Sequence, residues 1–173
     1  MTKVKKVLII GQPFSGKSYI SKKLQKLGVN AVDADLVKGL SKWVDKRGQK
    51  VEFPNDANRQ WLQRHKFIWD KEFLSSYLKN CELPIYFFGT SSNVYGMTNL
   101  FSQLYFLDIT PEIFKQRATR PERTNPMGKT QEQQKMIISG IKSLREKAVK
   151  SGFTAIDADQ EPEQILAILT KEK

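Results

Sequence analysis

The stretch Val7-Leu8-Ile9-Ile10-Gly11-Gln12-Pro13-Phe14-Ser15-Gly16-Lys17-Ser18 decides the fold. Its first four residues form a continuous apolar run, which is typical of a strand buried on both faces of a parallel sheet. The next eight fit the pattern G-x-x-x-x-G-K-[ST] at every fixed position. Glycines in such a loop let backbone N–H groups turn toward phosphate oxygens, and the start of the following helix adds its positive end. The stretch therefore predicts a strand, a phosphate-binding loop and a helix in immediate succession.

All eight residues of this loop are expected to bind ATP, and two of them have further predicted roles in phosphoryl transfer and Mg²⁺ binding. Lys17 can reach the β- and γ-phosphates, and the Ser18 hydroxyl can ligate Mg²⁺. A chance match would lack the buried strand before the loop and the helix after it, and both are predicted here. ATP and Mg²⁺ are therefore the expected cofactors, with Lys17 counted among the catalytic groups.

The composition favours a globular protein with an affinity for anions. The 173 residues are 39% hydrophobic and include 29 Lys and Arg against 18 Asp and Glu, a net charge of +11. Such a field attracts nucleotides, phosphorylated metabolites or nucleic acid, although a generally lysine-rich surface is an alternative explanation. One cysteine, Cys81, and one histidine, His65, argue against a zinc cluster, a disulfide framework or a Ser-His-Asp device. Because no apolar run suits a signal peptide or a membrane span, we expect a cytoplasmic protein without a membrane partner.

Short apolar runs alternate along the chain with segments of helical period, which indicates an α/β protein with a parallel sheet. The predicted strands lie at residues 7–10, 30–32, 85–88, 104–107 and 154–156. The predicted helices lie at residues 17–27, 36–46, 131–150 and 162–169, with another that begins at Thr110. A long helical region is predicted over residues 56–79, with a break near its middle as an alternative. We therefore expect one domain over residues 1–173, with three α/β/α layers around a five-stranded parallel sheet.

One short sequence occurs twice at predicted strand ends. Ala31-Val32-Asp33-Ala34-Asp35 is matched by Ala155-Ile156-Asp157-Ala158-Asp159, although the flanking residues differ. Ligands bind at the carboxyl ends of the strands in open parallel sheets. Both copies are therefore expected near the ligand.

Arginines recur at the end of the helix that begins at Thr110. Arg117, Arg120 and Arg123 are three residues apart, and the proline-containing stretch beyond them suggests a short lid over about residues 118–130. The planar guanidinium binds phosphate in two places. We expect Arg117 and Arg120 to close over the phosphates, the alternative being a solvated helix end whose dipole favours cations.

These features, and their order along the chain, resemble those of the nucleoside-monophosphate-kinase-like P-loop kinases, which include adenylate, shikimate and gluconate kinases. The resemblance rests on four places: the loop at residues 11–18, Asp33-Ala34-Asp35, the stretch from Leu107 to Arg120, and Ile156-Asp157-Ala158-Asp159. It implies a P-loop NTPase fold of nucleotide-kinase type. It also implies that Asp33 faces the hydrated Mg²⁺, that Asp35 faces the acceptor, and that Arg117 and Asp159 lie beside the nucleotide.

The sequence departs from this group at the acceptor site. Shikimate kinases carry Gly-Gly-Gly after the third strand, where this chain has Gly89-Thr90-Ser91-Ser92-Asn93. The monophosphate-binding arginines of an adenylate kinase are not evident either. A less-characterised branch with another acceptor is therefore expected.

Two polar side chains are candidates for binding that acceptor. A carboxylate at Asp35 can orient or deprotonate an acceptor hydroxyl, and Asn93 offers both donor and acceptor groups. Each residue also has a structural alternative, because Asp35 could cap a helix at Leu36 and Asn93 could cap the following segment.

Aromatic residues are concentrated between the second and third predicted strands of the sheet. They are Trp43, Phe53, Trp61, Phe67, Trp69 and Phe73. Core packing is the usual role of such a pattern, with His65 structural or exposed. In the kinases that the chain resembles, this part, a predicted helical segment over about residues 36–80, covers the acceptor. An aromatic acceptor is therefore permitted.

The leading hypothesis is an ATP-dependent kinase for a small molecule, with nucleosides and nucleotides among the candidate acceptors, acting as a monomer or homodimer. A polynucleotide-end kinase is an alternative, suggested by the basic N-terminal third. A nucleotide-binding regulator with little turnover is another, because the third predicted strand ends without the Asp of a Walker B motif.

Overall fold

The structure is a computed structural model that describes residues 4–120 and 127–171, and its elements follow the apolar runs of the sequence. The strands are β1 (Lys6–Gly11), β2 (Ala31–Asp33), β3 (Ser41–Val44), β4 (Lys50–Val51), β5 (Lys66–Trp69), β6 (Ile85–Phe88), β7 (Gln103–Asp108) and β8 (Thr154–Asp157). The α-helices are α1 (Lys17–Lys26), α2 (Arg59–Arg64), α3 (Lys71–Lys79), α4 (Pro111–Ala118), α5 (Gln131–Lys150) and α6 (Pro162–Thr170). Two 3₁₀ helices span Ala34–Leu36 and Val94–Leu100.

The main sheet of the described chain has five parallel strands in the order β2-β6-β1-β7-β8. Its central strand, β1, has four consecutive apolar residues, Val7 to Ile10, as expected of a strand with both faces buried. Val7 and Ile9 pack into the core on one face, whereas Leu8 and Ile10 pack into the core on the other. The strand therefore ends with Gly11 at the middle of the sheet's carboxyl edge.

Helices cover both faces of this sheet. One core takes Ile20 and Leu24 from α1, Phe114 from α4, and Ile165 and Leu169 from α6. The other core takes Leu74 and Leu78 from α3. The predicted three-layer α/β/α fold with a five-stranded parallel sheet is confirmed.

The helix predicted over residues 36–46 is wrong. The chain makes one 3₁₀ turn at Ala34–Leu36 and then forms β3. Asp45 Oδ1 accepts hydrogen bonds from the backbone N–H groups of Arg47 and Gln49, and Gly48 has a φ of 80°. These contacts form a turn between β3 and β4, so Gly48 belongs to a hairpin and does not end a helix.

The helical region predicted over residues 56–79 is not one helix. It contains α2 and α3 on either side of a break, as the alternative prediction allows, but the strand β5 at the break was not predicted. Within the described chain, β5 and β4 flank β3 in a second, three-stranded antiparallel sheet. Period-two alternation in β3 and β5 places Trp43 and Phe67 opposite each other, and this cross-strand packing outweighs the helical spacing of the sequence.

The predicted lid falls largely on residues 121–126, which lie outside the described residues, as does Arg123. Among the described helices, none is both long and apolar enough to span a membrane.

Candidate active site

The loop after β1 has the shape of a phosphate cradle. A Cβ on Gly11 would lie 2.4 Å from Ser15 Oγ, so a glycine is needed at this close approach. The Ser15 hydroxyl and the Gln12 amide are buried, and neither has a hydrogen-bond partner among the described residues. Buried polar groups are normally paired. A loop with such groups at the start of α1 therefore fits a bound anion such as a nucleotide phosphate.

Lys17 lies across this loop. Its Nζ donates hydrogen bonds to the carbonyls of Gly11, at 2.7 Å, and Gln12, at 2.8 Å. These bonds hold the ammonium group at the carboxyl edge of β1, where the predicted phosphates would lie. Lys17 therefore needs no large movement to neutralise them.

Arg117 of α4 holds the loop from its other side. Nη1 donates to the carbonyl of Phe14 at 3.1 Å, and Nη2 donates to the carbonyl of Ala158 at 2.7 Å. The Asp159 carboxylate lies 3.6 Å from Nη2. Burial lowers the pKa of Arg117, and the charge of Asp159 offsets part of this effect. The guanidinium thus connects the phosphate loop to the β8–α6 turn.

Arg120 lies one turn beyond Arg117. Its backbone N–H donates to the Arg117 carbonyl at 3.3 Å, and the residue is exposed. The structure therefore places Arg117 against the loop and Arg120 in solvent at the end of α4.

The repeated pentapeptides form the same turn on both sides of the phosphate loop. Asp33 Oδ1 accepts from the N–H of Asp35 at 3.1 Å, and Asp157 Oδ1 accepts from the N–H of Asp159 at 2.9 Å. Because β2 and β8 are the two edge strands, these turns flank the loop at the end of β1. Both copies therefore lie at the carboxyl edge, as predicted from the sequence.

A cavity of about 780 Å³ opens beside the loop on the β2 side. It brings together five of the predicted site residues: Pro13, Lys17, Ser18, Asp33 and Asp35. Ser18 and Asp33 supply hydroxyl and carboxylate oxygens, which are the hard ligands that Mg²⁺ takes together with phosphate oxygens. The residues present therefore fit a magnesium–nucleotide complex.

The electrostatic surroundings of Asp35 suit proton transfer. Desolvation raises the pKa of this carboxyl, the charge of Lys17 lowers it, and the neighbouring Asp33 raises it, with a net upward shift. The side chain is exposed and lines the cavity. A carboxylate with a raised pKa is a stronger base than an ordinary one.

Asn93 has a different position from the one predicted. Its Oδ1 accepts from the N–H of Trp69 at 3.0 Å and from Ser91 Oγ at 2.8 Å, while Nδ2 donates to the Trp69 carbonyl at 2.9 Å. Among the described residues that line the cavity, Thr90 is present and Asn93 is not. The side-chain amide is hydrogen-bonded to the backbone at the end of β5, so Asn93 is not among the residues that could contact an acceptor in this cavity.

Several lining residues were missed by the sequence reasoning. They are Ser21, Lys22, Gln25, Leu36, Ser41 and Met127. Pro13 was predicted to bind ATP, but its position in the lining of this cavity was not predicted. A signal for part of this set was present, because Ser18, Ser21, Lys22 and Gln25 repeat at helical spacing on one face of α1. Ser41 and Met127 had no local signal, since tertiary packing alone brings them to the cavity.

The two residues that follow Met127 are bound by a buried glutamine, Gln133. Gln133 Oε1 accepts from the N–H groups of Gly128, at 2.8 Å, and Lys129, at 3.0 Å. Its Nε2 donates to the Ala57 carbonyl at 2.8 Å. These hydrogen bonds therefore connect the start of α5 to the loop that follows β4.

Comparisons with known proteins support the fold alone. No family model and no curated protein sequence matches the chain. Among solved structures, it is similar to the shikimate kinase of Acinetobacter baumannii in complex with shikimate (13% identity, TM-score 0.58, 96% of this chain and 93% of that chain). It is also similar to the shikimate kinase of Bacteroides thetaiotaomicron (14%, TM-score 0.54, 95% and 98%). A third similar structure is the deoxyadenosine kinase of M. mycoides with bound dATP (15%, TM-score 0.50, 96% and 100%). The chain therefore shares the P-loop NTPase α/β fold of these kinase structures.

Proposed function

We propose that this protein is an ATP-dependent kinase that phosphorylates a hydroxyl group of a small molecule. The observation that carries the proposal is the shared cavity, where Lys17 and Ser18 of the phosphate loop face Asp35. A phosphate donor and a hydroxyl acceptor could meet between these groups. The similar structures include kinases for shikimate and deoxyadenosine, which supports a small-molecule acceptor.

The donor side is built from residues 11–18. Their backbone N–H groups and the start of α1 would hold the phosphates, with Lys17 neutralising charge on the transferring group. Arg117 and Asp159 border the loop on the β8 side, where we propose the nucleotide base. In this arrangement Arg117 acts chiefly by holding the Phe14 carbonyl and thereby the shape of the loop.

Ser18 and Asp33 are the residues that would hold Mg²⁺. When bound, the ion supplies positive charge to phosphate oxygens. Asp33 is buried and capped by the N–H of Asp35, so its carboxylate is fixed in orientation. We propose that this fixed carboxylate selects the position of the ion.

Asp35 serves as the base on the acceptor side. The acceptor oxygen forms a bond to the γ-phosphorus while the bond from that phosphorus to the β-phosphate oxygen breaks. The hydroxyl proton goes to the Asp35 carboxylate, and the products are a phosphomonoester and ADP. Arg120, at the end of α4, is proposed to add positive charge to the transferring phosphoryl group.

The test begins with ATP binding, measured by calorimetry with and without Mg²⁺. We expect Lys17→Met to weaken binding at least about tenfold. Lys23→Met is the matched control, because Lys23 lies on the same helix but its ammonium group contacts the Tyr19 ring, 5.6 Å from the centroid. Equal binding by wild type and Lys17→Met would contradict the proposed donor site.

Phosphoryl transfer is then measured by mass spectrometry with ATP, Mg²⁺ and a panel of hydroxyl compounds. A new phosphomonoester together with ADP is the expected result. Transfer only to a 5′-hydroxyl oligonucleotide would favour the polynucleotide-end kinase. ATP binding without transfer to any acceptor would favour the nucleotide-binding regulator.

A further inference from the structure

Three aromatic side chains form one wall of the cavity that contains Asp35. They are Trp43, Phe53 and Phe67. Their ring centroids lie 5.0 Å (Trp43–Phe53) and 5.5 Å (Trp43–Phe67) apart. Unlike Phe87 and Phe88 of the main core, these three rings remain partly exposed. The aromatic wall therefore offers apolar ring surface to whatever occupies the cavity.

The second sheet holds this wall in place. Trp43 of β3 and Phe67 of β5 are directly opposed across the two strands, which puts their side chains on one face. The backbone N–H of Ser92 donates to the Phe67 carbonyl at 2.7 Å and so connects β5 to the loop after β6. The wall is thus connected to the loop that contains Thr90, another residue that lines the cavity.

A further ring supports the wall from outside the cavity. Trp61 of α2 packs edge-on against Trp43, at 5.0 Å, and Phe53, at 5.3 Å, and stacks on His65 at 4.1 Å. Among the described residues, Trp61 does not line this cavity. Ring contacts within the aromatic cluster therefore account for Trp61. The other three rings keep partly exposed surface on the cavity.

The charges in the cavity argue against an acceptor that carries a phosphate. Of the residues that line it within the described chain, Asp33 and Asp35 are anionic, and Lys17 and Lys22 are the cations. Lys17 is already assigned to the donor and Asp33 to Mg²⁺. A phosphate on the acceptor would lie beside the Asp35 carboxylate and, among the described lining residues, would have Lys22 alone as a counter-charge. An uncharged acceptor avoids this cost.

We infer that the acceptor is an uncharged compound of the nucleoside class, with its flat heteroaromatic ring against Trp43, Phe53 and Phe67 and its primary hydroxyl at Asp35. This inference rests on the proposed kinase function and names the substrate class of the same site. A cavity of about 780 Å³ has room for a nucleoside beside the phosphoryl group. Ser41 and Thr90 supply hydroxyl groups that can hydrogen-bond to the sugar or the base.

The experiment compares matched acceptors with the full chain, ATP and Mg²⁺. Adenosine, cytidine and thymidine are tested beside their 5′-monophosphates and beside ribose, shikimate and gluconate. We expect nucleoside 5′-monophosphates as products, with kcat/KM at least about tenfold higher for a nucleoside than for ribose, as stacking on aromatic side chains predicts. Preference for the monophosphates or for the non-aromatic compounds would overturn the inference, as would transfer to none of the nucleosides.

Variants of the wall test its contact with the acceptor. We expect Trp43→Leu and Phe53→Leu each to raise the nucleoside KM about tenfold while the KM for ATP stays within about twofold. Phe73→Leu is the control, since it removes a partly exposed ring on α3 that does not line the cavity, and it should change neither KM more than about twofold. Phe53 lies outside the strands, so Phe53→Leu keeps the test decisive if Trp43→Leu does not fold. Equal effects of all three variants, or no effect on the nucleoside KM, would overturn the inference.

The two proposals can fail separately. If ATP binds in a Lys17-dependent manner but no nucleoside is phosphorylated, the donor site stands and the nucleoside inference is wrong. If ATP does not bind, both are wrong.

Discussion

Arg117 donates a hydrogen bond from Nη1 to the backbone carbonyl of Phe14, 3.1 Å away, and Phe14 is the non-glycine residue with a positive φ (74°) in the described chain. Such a backbone conformation costs roughly 1–2 kcal/mol for an L-residue and persists only where its surroundings hold it. The same guanidinium also donates a hydrogen bond from Nη2 to the carbonyl of Ala158. We therefore propose that Arg117 positions the phosphate loop.

This relationship predicts the effect of Arg117→Lys. A lysine keeps the charge but has no planar fork to bond to two carbonyls at once. The loss of one charge-assisted hydrogen bond, about 1.5–3 kcal/mol, should weaken ATP binding roughly tenfold or more in calorimetry. Lys115→Ala, an exposed change on the same helix, should leave the affinity unchanged. Unaltered ATP binding by Arg117→Lys would refute the positioning role.

Arg120→Ala should act on turnover instead of affinity. Arg120 is exposed beyond the loop, so the loop keeps its shape when the guanidinium is removed. If Arg120 stabilises the transferring phosphoryl group, kcat should fall at least about tenfold while the Kd for ATP is retained. The check is steady-state kinetics beside calorimetry on one preparation. A full kcat would remove Arg120 from the mechanism.

Asp35→Asn should lower activity and raise stability. Because desolvation raises the pKa of Asp35, its charged form is disfavoured in the folded protein, and wild type loses stability as the pH rises from the unfolded-state pKa of about 3.9 through the higher folded-state pKa. Asparagine removes this loss, so the variant should have the higher Tm at pH 7, and this pH-dependent difference should vanish well below the unfolded-state pKa, where the aspartate is neutral in both states.

The rate profile gives a second readout for the same residue. As the base, Asp35 must be ionised, so wild-type kcat/KM should fall with decreasing pH through a pKa above the ordinary aspartate value. Full activity of Asp35→Asn, or a lower Tm than wild type at pH 7, would be incompatible with this assignment.

Gly89→Ala should destabilise the protein. A Cβ at this position would lie 2.4 Å from the Ala34 Cβ and 2.8 Å from Trp69 Cζ2, both on packed residues. Overpacking of this kind costs about 1–3 kcal/mol in the free energy of unfolding, measured in urea. Gly140→Ala is the counterpart, because it has open space within α5 and should stabilise by about 0.5–1 kcal/mol. A neutral Gly89→Ala would show that this end of β6 can move.

Asn93→Ala separates structural support from substrate binding. Removing the amide leaves the N–H and carbonyl of Trp69 without their side-chain partners, at about 1–3 kcal/mol for each group left unpaired. We expect a lower Tm with the KM values of the folded enzyme little changed, whereas the exposed Asn99→Ala should alter neither. A selective rise in the acceptor KM would restore Asn93 as a substrate residue.

Much of the fold could be predicted because its signals are local. The apolar run of β1, the loop glycines and the strand ends at Asp33 and Asp157 each lie within a few consecutive residues. The second sheet could not be predicted in this way. The pairing of β3 with β5 joins residues more than twenty positions apart, so no local pattern reveals it. The helical spacing of Trp61 and Trp69 therefore predicted continuous helix where the chain forms α2 and β5.

The sequence by itself determined the phosphate loop, the central parallel sheet and the residue types at its carboxyl edge, because backbone sterics and burial on both faces of β1 act over short distances. Tertiary structure decided which of these side chains share a cavity. It brought Lys17, Ser18, Asp33 and Asp35 together, turned Asn93 toward Trp69, and set Trp43, Phe53 and Phe67 as a wall. The reason is that hydrogen bonds and ring packing between distant segments fix the direction of a side chain, which spacing along the chain cannot do.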